Sequence, residues 1–411
     1  MHLKFLYRQY VPLWMRRKLF MLRHFFAYIY CFFIIKFFNR RNIFENKGTV
    51  ALMRLDGIGD FIIWLDAAKE FRAMFPSNRI ILVCGKECAD IAASTGYFDI
   101  VFPIDKSDMI SARPLSKFRL RKKLSALTAD KLIQCAPNYV MYVEFIAASI
   151  YAKEKITIDY DSTGQCRPDK KEADTLASAV FDNIIRTQSH VIHEIQRNAE
   201  FMRALGHKYK TKFPIIKIHK PNSLAPKGKY YILVPGANVE TRRWDINKFA
   251  EVASYICNKT GFSCCICGSK DERILGDELI KISQTADRLI NMCGTTELME
   301  LAALIKDAEF VITNDTSALH FAAAVNTPSI CIFGPWELGR ILPYDADITE
   351  GCSAPIMCYK GMPCKNCYKN ITVECQKNIT KNNRFLCIEK VEANYVIKEV
   401  EHLLNTLERN R

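Results

Sequence analysis

Three short stretches of this chain carry side chains that could do chemistry. The first, Phe310 to Ala324, reads FVITNDTSALHFAAA. Its apolar start, Phe310-Val311-Ile312, reads as a buried strand that stops at Thr313-Asn314-Asp315, and a small-residue helix starting at about Thr316 carries His320 one turn in. A helix N-terminus presents free N–H groups and partial positive charge, which suits a phosphate or pyrophosphate. Asp315, Thr316, Ser317 and His320 add directional polar groups. The same residues also fit a capped helix with nothing bound, because Asp and Thr are good caps, and the stretch alone leaves both readings open. The second stretch, Leu55 to Asp60, holds Asp56, Gly57, Gly59 and Asp60. The glycines let a loop turn tightly. A carboxylate at a helix start is either a plain N-cap or a base kept ionised by the helix dipole. In the third, Arg242 and Arg243 follow the loop Pro235-Gly236-Ala237. Arginines there are either solvated or hold phosphate oxygens bidentately, stabilising charge that grows on a leaving phosphate.

The elements around these stretches repeat one grammar. Residues 49–54 read as a strand, 61–75 as an amphipathic helix with apolar residues near a 3.6 period, and 79–84 and 99–104 as further strands. A basic stretch, 106–131, is expected as a surface excursion, and 190–205 as a helix stopped by Gly206. The segment 217–229, with Pro221, Pro226 and Gly228, is the expected linker. A second series follows: strands 230–234, 262–267, 289–292 and 329–333, helices 246–259 and 298–306, and a C-terminal helix over 390–407. Alternating strands and helices predict two doubly wound α/β domains with ligands at the carboxyl ends of the strands. The expected division is an extension over 1–47, a first domain over 48–216, the linker, a second domain over 230–389 and the terminal helix within 390–411.

A chain of 411 residues is long for one core. Its net charge is +14, and residues 1–47 hold ten Lys or Arg against the single acid Glu45. The rest is only mildly basic, which argues against a nucleic-acid footprint. Phe25 to Phe38 reads FFAYIYCFFIIKFF, too short for an ordinary membrane span. Aromatics flanked by Arg and Lys fit a helix lying in an anionic membrane surface. Of the seventeen cysteines, those in apolar runs, such as Cys84, Cys265 and Cys331, read as small hydrophobes in a reducing compartment. Cys364 and Cys367 form a C-x-x-C with Cys375 and Cys387 downstream, a set that could hold a structural zinc or an iron–sulfur cluster.

Four segments in order resemble one family: RLDGIGDFI at 54–62, PGANVETRRW at 235–244, GSKDE at 268–272 and NDTSALHFAAAVNTPSICIFGP at 314–335. The chain resembles the ADP-heptose:lipopolysaccharide heptosyltransferases, glycosyltransferase family 9, over roughly residues 48–405. The resemblance implies a GT-B fold, with an N-terminal acceptor domain facing a C-terminal nucleotide-sugar domain. It implies inverting transfer with no obligatory metal, to a lipopolysaccharide or other lipid-linked glycan at the cytoplasmic face of the inner membrane. Asp60 matches the base that takes the acceptor proton, with Asp56, Gly57 and Gly59 on the same acceptor-side loop. Arg242 matches the cation that stabilises the leaving diphosphate. Gly236, Ala237, Arg243, Asp315, Thr316, Ser317 and His320 match the donor site, Glu272 a ribose-binding carboxylate, and Thr296 a residue packed near adenine. Ser317 stands where the family usually has glycine, and Arg242 where it more often has lysine. Two other classes remain open on sequence: a GT-B-type epimerase, which needs no acceptor, and a non-catalytic scaffold with the same fold.

Overall fold

The computed structural model describes residues 29–30, 32–37, 48–110, 114–136, 141–158, 170–186, 192–208, 210–219, 221–335, 338–344, 346–349, 352–362 and 379–409. Most of the 1–47 extension lies outside them, as do Cys364, Cys367 and Cys375. Among the described residues no helix is long and apolar enough to cross a membrane.

Twelve strands of the described chain form two sheets, and every recorded pairing between them is parallel. The first sheet contains β1 (Thr49–Arg54), β2 (Arg79–Gly85), β3 (Ile100–Ile104), β4 (Thr128–Gln134), β5 (Tyr151–Ile158) and β6 (Asn183–Ile185), in the order β3-β2-β1-β4-β5-β6. The second contains β7 (Tyr230–Val234), β8 (Ser263–Ile266), β9 (Leu289–Asn291), β10 (Val311–Asn314), β11 (Ser329–Ile332) and β12 (Ile356–Cys358), in the order β12-β11-β10-β7-β8-β9. Both are doubly wound, and the order reverses between β1 and β4 and between β7 and β10. Loops leaving the carboxyl ends at those points diverge to opposite faces and open a crevice. The three chemical stretches sit there: 55–60 follows β1, 235–243 follows β7, and 315–317 follows β10.

Strand sequences sort themselves between two faces, because side chains alternate along a strand. In β1, Val50 and Leu52 enter one core while Ala51 and Met53 enter the other. Helix α1 (Ile58–Met74) covers the first face with Phe61, Trp64, Ala68 and Phe71. Helix α2 (Glu194–Ala204) packs against it and is capped by His193, whose Nδ1 accepts from the Ile195 N–H at 3.2 Å. In the second domain, α3 (Ile246–Thr260), α4 (Ser317–Ala324) and α5 (Ala393–Arg409) flank the sheet. Helix α5 lays Val396, Val400 and Leu403 on the core at helical spacing.

The stretch 106–131 differs from expectation. It supplies two helices and the start of β4, which pairs directly with β1. The polar residues that suggested surface are engaged. Asp130 Oδ2 accepts from the Gly48 and Thr49 N–H groups, and Lys131 pairs with Glu154 on β5 at 2.7 Å.

The two domains share a continuous apolar core. Phe61 and Leu65 of α1 belong to the same cluster as Ala318, Leu319 and Ala322 of α4. Backbone bonds from Phe213 to Ile348 and from Ile216 to Ala324 tie the connecting chain to the second domain.

Candidate active site

The Leu55–Asp60 loop is built around a buried arginine. Arg54, at the end of β1, is inaccessible and bonds Asp56 Oδ2 at 2.6 Å, the Cys135 carbonyl at 2.7 Å and the Asp60 carbonyl at 3.3 Å. It also reaches Asn198 Oδ1 at 3.4 Å and stands 3.8 Å from Glu194 of α2. A guanidinium has five donors in a fixed plane, so it can hold several chain segments at once. Asp56 is consumed by this arrangement. Its side chain is 5% exposed, and burial pushes its carboxyl up to about 7 against the pull of Arg54.

Asp60 stands in the first turn of α1. The N-cap of that helix is Gly57, with no side-chain cap bond, so Asp60 is not a capping residue. The loop glycines work differently from the expected tight turn. Neither Gly57 nor Gly59 has positive φ. Gly59 is required by proximity: a Cβ there would stand 2.6 Å from Cδ2 and 3.0 Å from Nε2 of His320 on α4. The Leu55–Asp60 loop thus touches α4, and the sequence-predicted Gly59, Asp60 and His320 are brought together.

His320 is buried at 4% exposure, and its Nδ1 is bonded by the Tyr344 hydroxyl. Burial holds the Tyr344 phenol protonated. A neutral His320 holds one proton, on Nδ1 or on Nε2, and the Tyr344 hydroxyl accepts from the first tautomer or donates to the second. Burial pulls the His320 pKa down to about 4, and nearby His193 adds to this, while the Asp60 carboxylate opposes it. A histidine neutral in the folded state contributes stability that is complete above its ordinary pKa and is lost as pH falls toward the folded value. Each pH unit in that window costs about 1.4 kcal/mol. Between pH 6.5 and 5 the wild type is expected to lose stability more steeply than His320→Gln by about that slope, read from denaturant unfolding at several pH values. Equal slopes would remove the buried neutral imidazole from the account.

The 235–244 loop and the 315–317 turn are joined by Asn314, which by sequence reads only as part of the polar turn ending the apolar run and in fact ends β10. Its Nδ2 donates to the carbonyls of Pro235 and Gly236 at 2.8 and 3.1 Å, and its Oδ1 accepts from the Trp244 N–H at 3.1 Å. One side chain therefore fixes both ends of the 235–244 loop against the 315–317 turn. Trp244 is anchored in turn through Nε1 to the Val391 carbonyl. Arg243 braces the loop through Nε to the Ala237 carbonyl at 3.1 Å and faces Glu272 at 3.8 Å. Arg242 closes the 3₁₀ turn Glu240–Arg242 in the same loop and is half-buried.

Glu272 has a local task as well. Its Oε2 accepts from the Ser269 N–H and hydroxyl at 2.8 and 2.9 Å, closing a capping box. A Cβ on Gly236 would stand 2.1 Å from Glu272 Oε1, so a larger residue where these loops meet would have to push that carboxylate out of its place. The loop carrying Thr296 lies beside them, through the Gly294 N–H bond to the Gly268 carbonyl. Thr316 caps α4 by accepting from the Ala318 N–H at 3.3 Å, which leaves Asp315 and Ser317 half-buried at the mouth of the turn. The capped helix and the phosphate-binding turn are therefore compatible: the Thr316 side chain caps while the first-turn N–H groups point out of the helix end. Of the four cysteines expected as metal ligands, only Cys387 is described, and among the described residues no group of three His, Cys, Asp or Glu is placed to hold a metal.

Comparison with known proteins places this chain in a family. The model of glycosyltransferase family 9 (heptosyltransferase) matches residues 118–371. Lipooligosaccharide heptosyltransferase 2 of Haemophilus ducreyi is 32% identical over 106 residues, covering 25% of this chain and 30% of that protein. The match thus spans about a third of the relative's length. The family 9 glycosyl transferase of Veillonella parvula superposes with a TM-score of 0.68 at 18% identity, over 89% of this chain and all of that one. The E. coli heptosyltransferase WaaC, solved with ADP-2-deoxy-2-fluoro heptose, gives 0.60 at 17% identity, over 86% of this chain and 99% of that one. These likenesses establish the expected α/β GT-B fold, and the family match covers more than half of the chain: it belongs to glycosyltransferase family 9, the heptosyltransferase family.

Proposed function

We propose that the protein is an inverting glycosyltransferase that moves a sugar, with ADP-heptose the first donor to test, onto a lipopolysaccharide or other lipid-linked acceptor at the inner face of the inner membrane. The observation that carries the reading is the meeting of Gly59 and Asp60 with His320, which sets a carboxylate from the acceptor domain against the donor-side helix. Asp60 takes the acceptor hydroxyl proton as that oxygen attacks the anomeric carbon. Arg242 stabilises the charge that develops on the departing diphosphate, where a fixed cation acts without reorganisation. The Asp315–Ser317 turn at the start of α4 holds the donor, with backbone N–H groups directed at its phosphates. His320, neutral, serves as a hydrogen-bonding wall between donor and base. Family membership supports this reading, and so do the relatives named as heptosyltransferases.

Binding is tested by thermal shift. A ligand specific for the folded state stabilises it by RT ln(1 + [L]/Kd), about 2.7 kcal/mol at a hundredfold excess over Kd. ADP and ADP-heptose are expected to raise Tm in proportion to the logarithm of their concentration. No shift with any nucleoside diphosphate would favour the scaffold reading. Transfer is tested by mass spectrometry of a truncated lipopolysaccharide acceptor. A product heavier by one heptose supports the proposal, and conversion of the donor without acceptor would favour an epimerase.

A further inference from the structure

The first domain carries exposed apolar side chains on elements packed against the sheet face opposite α1. Two short helices end in that core. The described part of the N-terminal extension buries Ile35 there, at 2% exposure. The helix Pro114–Leu124 buries Leu120 and Leu124 in the same cluster. Each turns large apolar side chains outward. Phe33 and Phe37 are 53% and 61% exposed, stacked with ring centroids 6.1 Å apart, and Leu115 and Phe118 are 59% and 55% exposed. These are ordinary core residues, and exposing four of them on two elements that share one core is a cost that a partner would recover.

The charges on the two segments themselves are all of one sign. Lys36 lies between Phe33 and Phe37, and exposed Arg119 and Lys122 share the i, i+3, i+4, i+7 face that begins at Leu115 and Phe118. Lys123 adds to the same side, and neither 29–37 nor 114–124 contains an acid. An aromatic and aliphatic tip ringed by cations is the chemistry of an anionic lipid surface, into which the rings insert while the cations meet headgroups. Two copies of such a face would repel one another, which disfavours self-association.

We infer that the 114–124 helix, together with the Phe33–Phe37 turn, forms a docking face for an anionic bilayer. Leu115 and Phe118 insert as a wedge on the acceptor domain itself. The chain leaves the carboxyl end of β3 and returns to the amino end of β4, parallel to β1, so the first turn of this helix lies toward the rim that carries the Asp56–Asp60 loop. Docking there would bring a lipid-borne acceptor to the loop. That last link rests on the proposed function, whereas the docking face stands on exposure and charge alone.

The test is flotation of the full-length protein with phosphatidylglycerol-containing vesicles and with pure phosphatidylcholine vesicles. The wild type is expected to bind the anionic vesicles at least tenfold better than the neutral ones, and less well as salt is raised. Leu115→Ser/Phe118→Ser is expected to lose about tenfold or more in partitioning while keeping its thermal shift with ADP, and Phe33→Ser/Phe37→Ser to behave alike. Wild-type binding by the 115/118 variant would overturn the role of the 114–124 helix. Equal binding to neutral vesicles would overturn the charge argument. Light scattering that shows a wild-type dimer and monomeric variants, with vesicle binding unchanged, would assign the face to self-association instead. Since no readout involves sugar transfer, failure of the docking face and failure of the transferase reading are separable.

Discussion

Asp60→Asn is expected to fold as the wild type does, to keep its thermal shift with ADP, and to lose transfer by about 10²–10⁴-fold, the range over which a positioned general base contributes. The structure separates the two carboxylates of the loop. The Asp56 side chain is 5% exposed and its Oδ2 is bonded to Arg54, so that oxygen is already engaged in holding the loop. Asp60 does not cap α1, and what Arg54 holds is its backbone carbonyl, a contact that survives substitution of the side chain. The carboxylate of Asp60 stands near buried His320 and favours its charged form against the burial that keeps the imidazole neutral. The amide is nearly the same size and cannot accept a proton from a hydroxyl at neutral pH, so the loss should fall on kcat with the donor's Kd little changed. Asp56→Asn gives the contrast, with a lowered Tm and a smaller effect on kcat per folded molecule. Transfer retained by Asp60→Asn and abolished in a well-folded Asp56→Asn would move the base role to Asp56.

The chain announced some of this architecture and concealed the rest for physical reasons. The Phe310–Ala324 stretch was legible because a buried parallel strand is continuously apolar and a tightly packed helix is rich in small residues. The order of its turn followed from Asp315 and Thr316. Strand β4 was concealed because Asp130 and Lys131 look like surface residues. They are satisfied by partners at Gly48, Thr49 and Glu154, which are distant in sequence. The glycine at 59 was visible, but its reason was not: the demand comes from the His320 ring in the other domain, not from its own backbone angle. Asn314, Tyr344 and Glu194 escaped for the same cause. Each acts by bonding groups far along the chain, such as Asn314 to Pro235 and Glu194 to Arg340, and no local pattern reports such a contact.

Arg54 carries the largest expected effect on stability. Arg54→Met is expected to cost about 3–5 kcal/mol, the usual result of removing one partner from a buried ionic group, out of a total that is typically about 5–15 kcal/mol. Methionine fills much of the volume but leaves the Asp56 carboxylate and the Cys135 carbonyl without the guanidinium donor, while Glu194 keeps Arg197 and Arg340 nearby. Arg54→Lys restores the charge without the planar fork, so it should fall between the two. The pH dependence identifies the cause. Asp56 already has its folded pKa raised to about 7 by burial, with Asp60 and Glu194 adding to it. A carboxyl with a raised folded pKa contributes stability that is present below its unfolded pKa and is lost as pH rises through the folded value. Without Arg54 that folded value rises further, so the deficit of Arg54→Met should shrink as pH is lowered from 8 to 5, measured by urea unfolding. A deficit independent of pH would mean that lost packing against Trp64, whose ring lies 5.7 Å from the guanidinium, outweighs the stranded charge. A deficit below 1 kcal/mol would show that the loop does not depend on this arginine. Because Arg54 fixes the Asp60 carbonyl and Glu194 is 3.6 Å from Arg340 of the donor domain, the same variant should also lose kcat when assayed below its melting range. Loss of stability without loss of turnover would confine Arg54 to the fold and leave the placement of Asp60 to α1 alone.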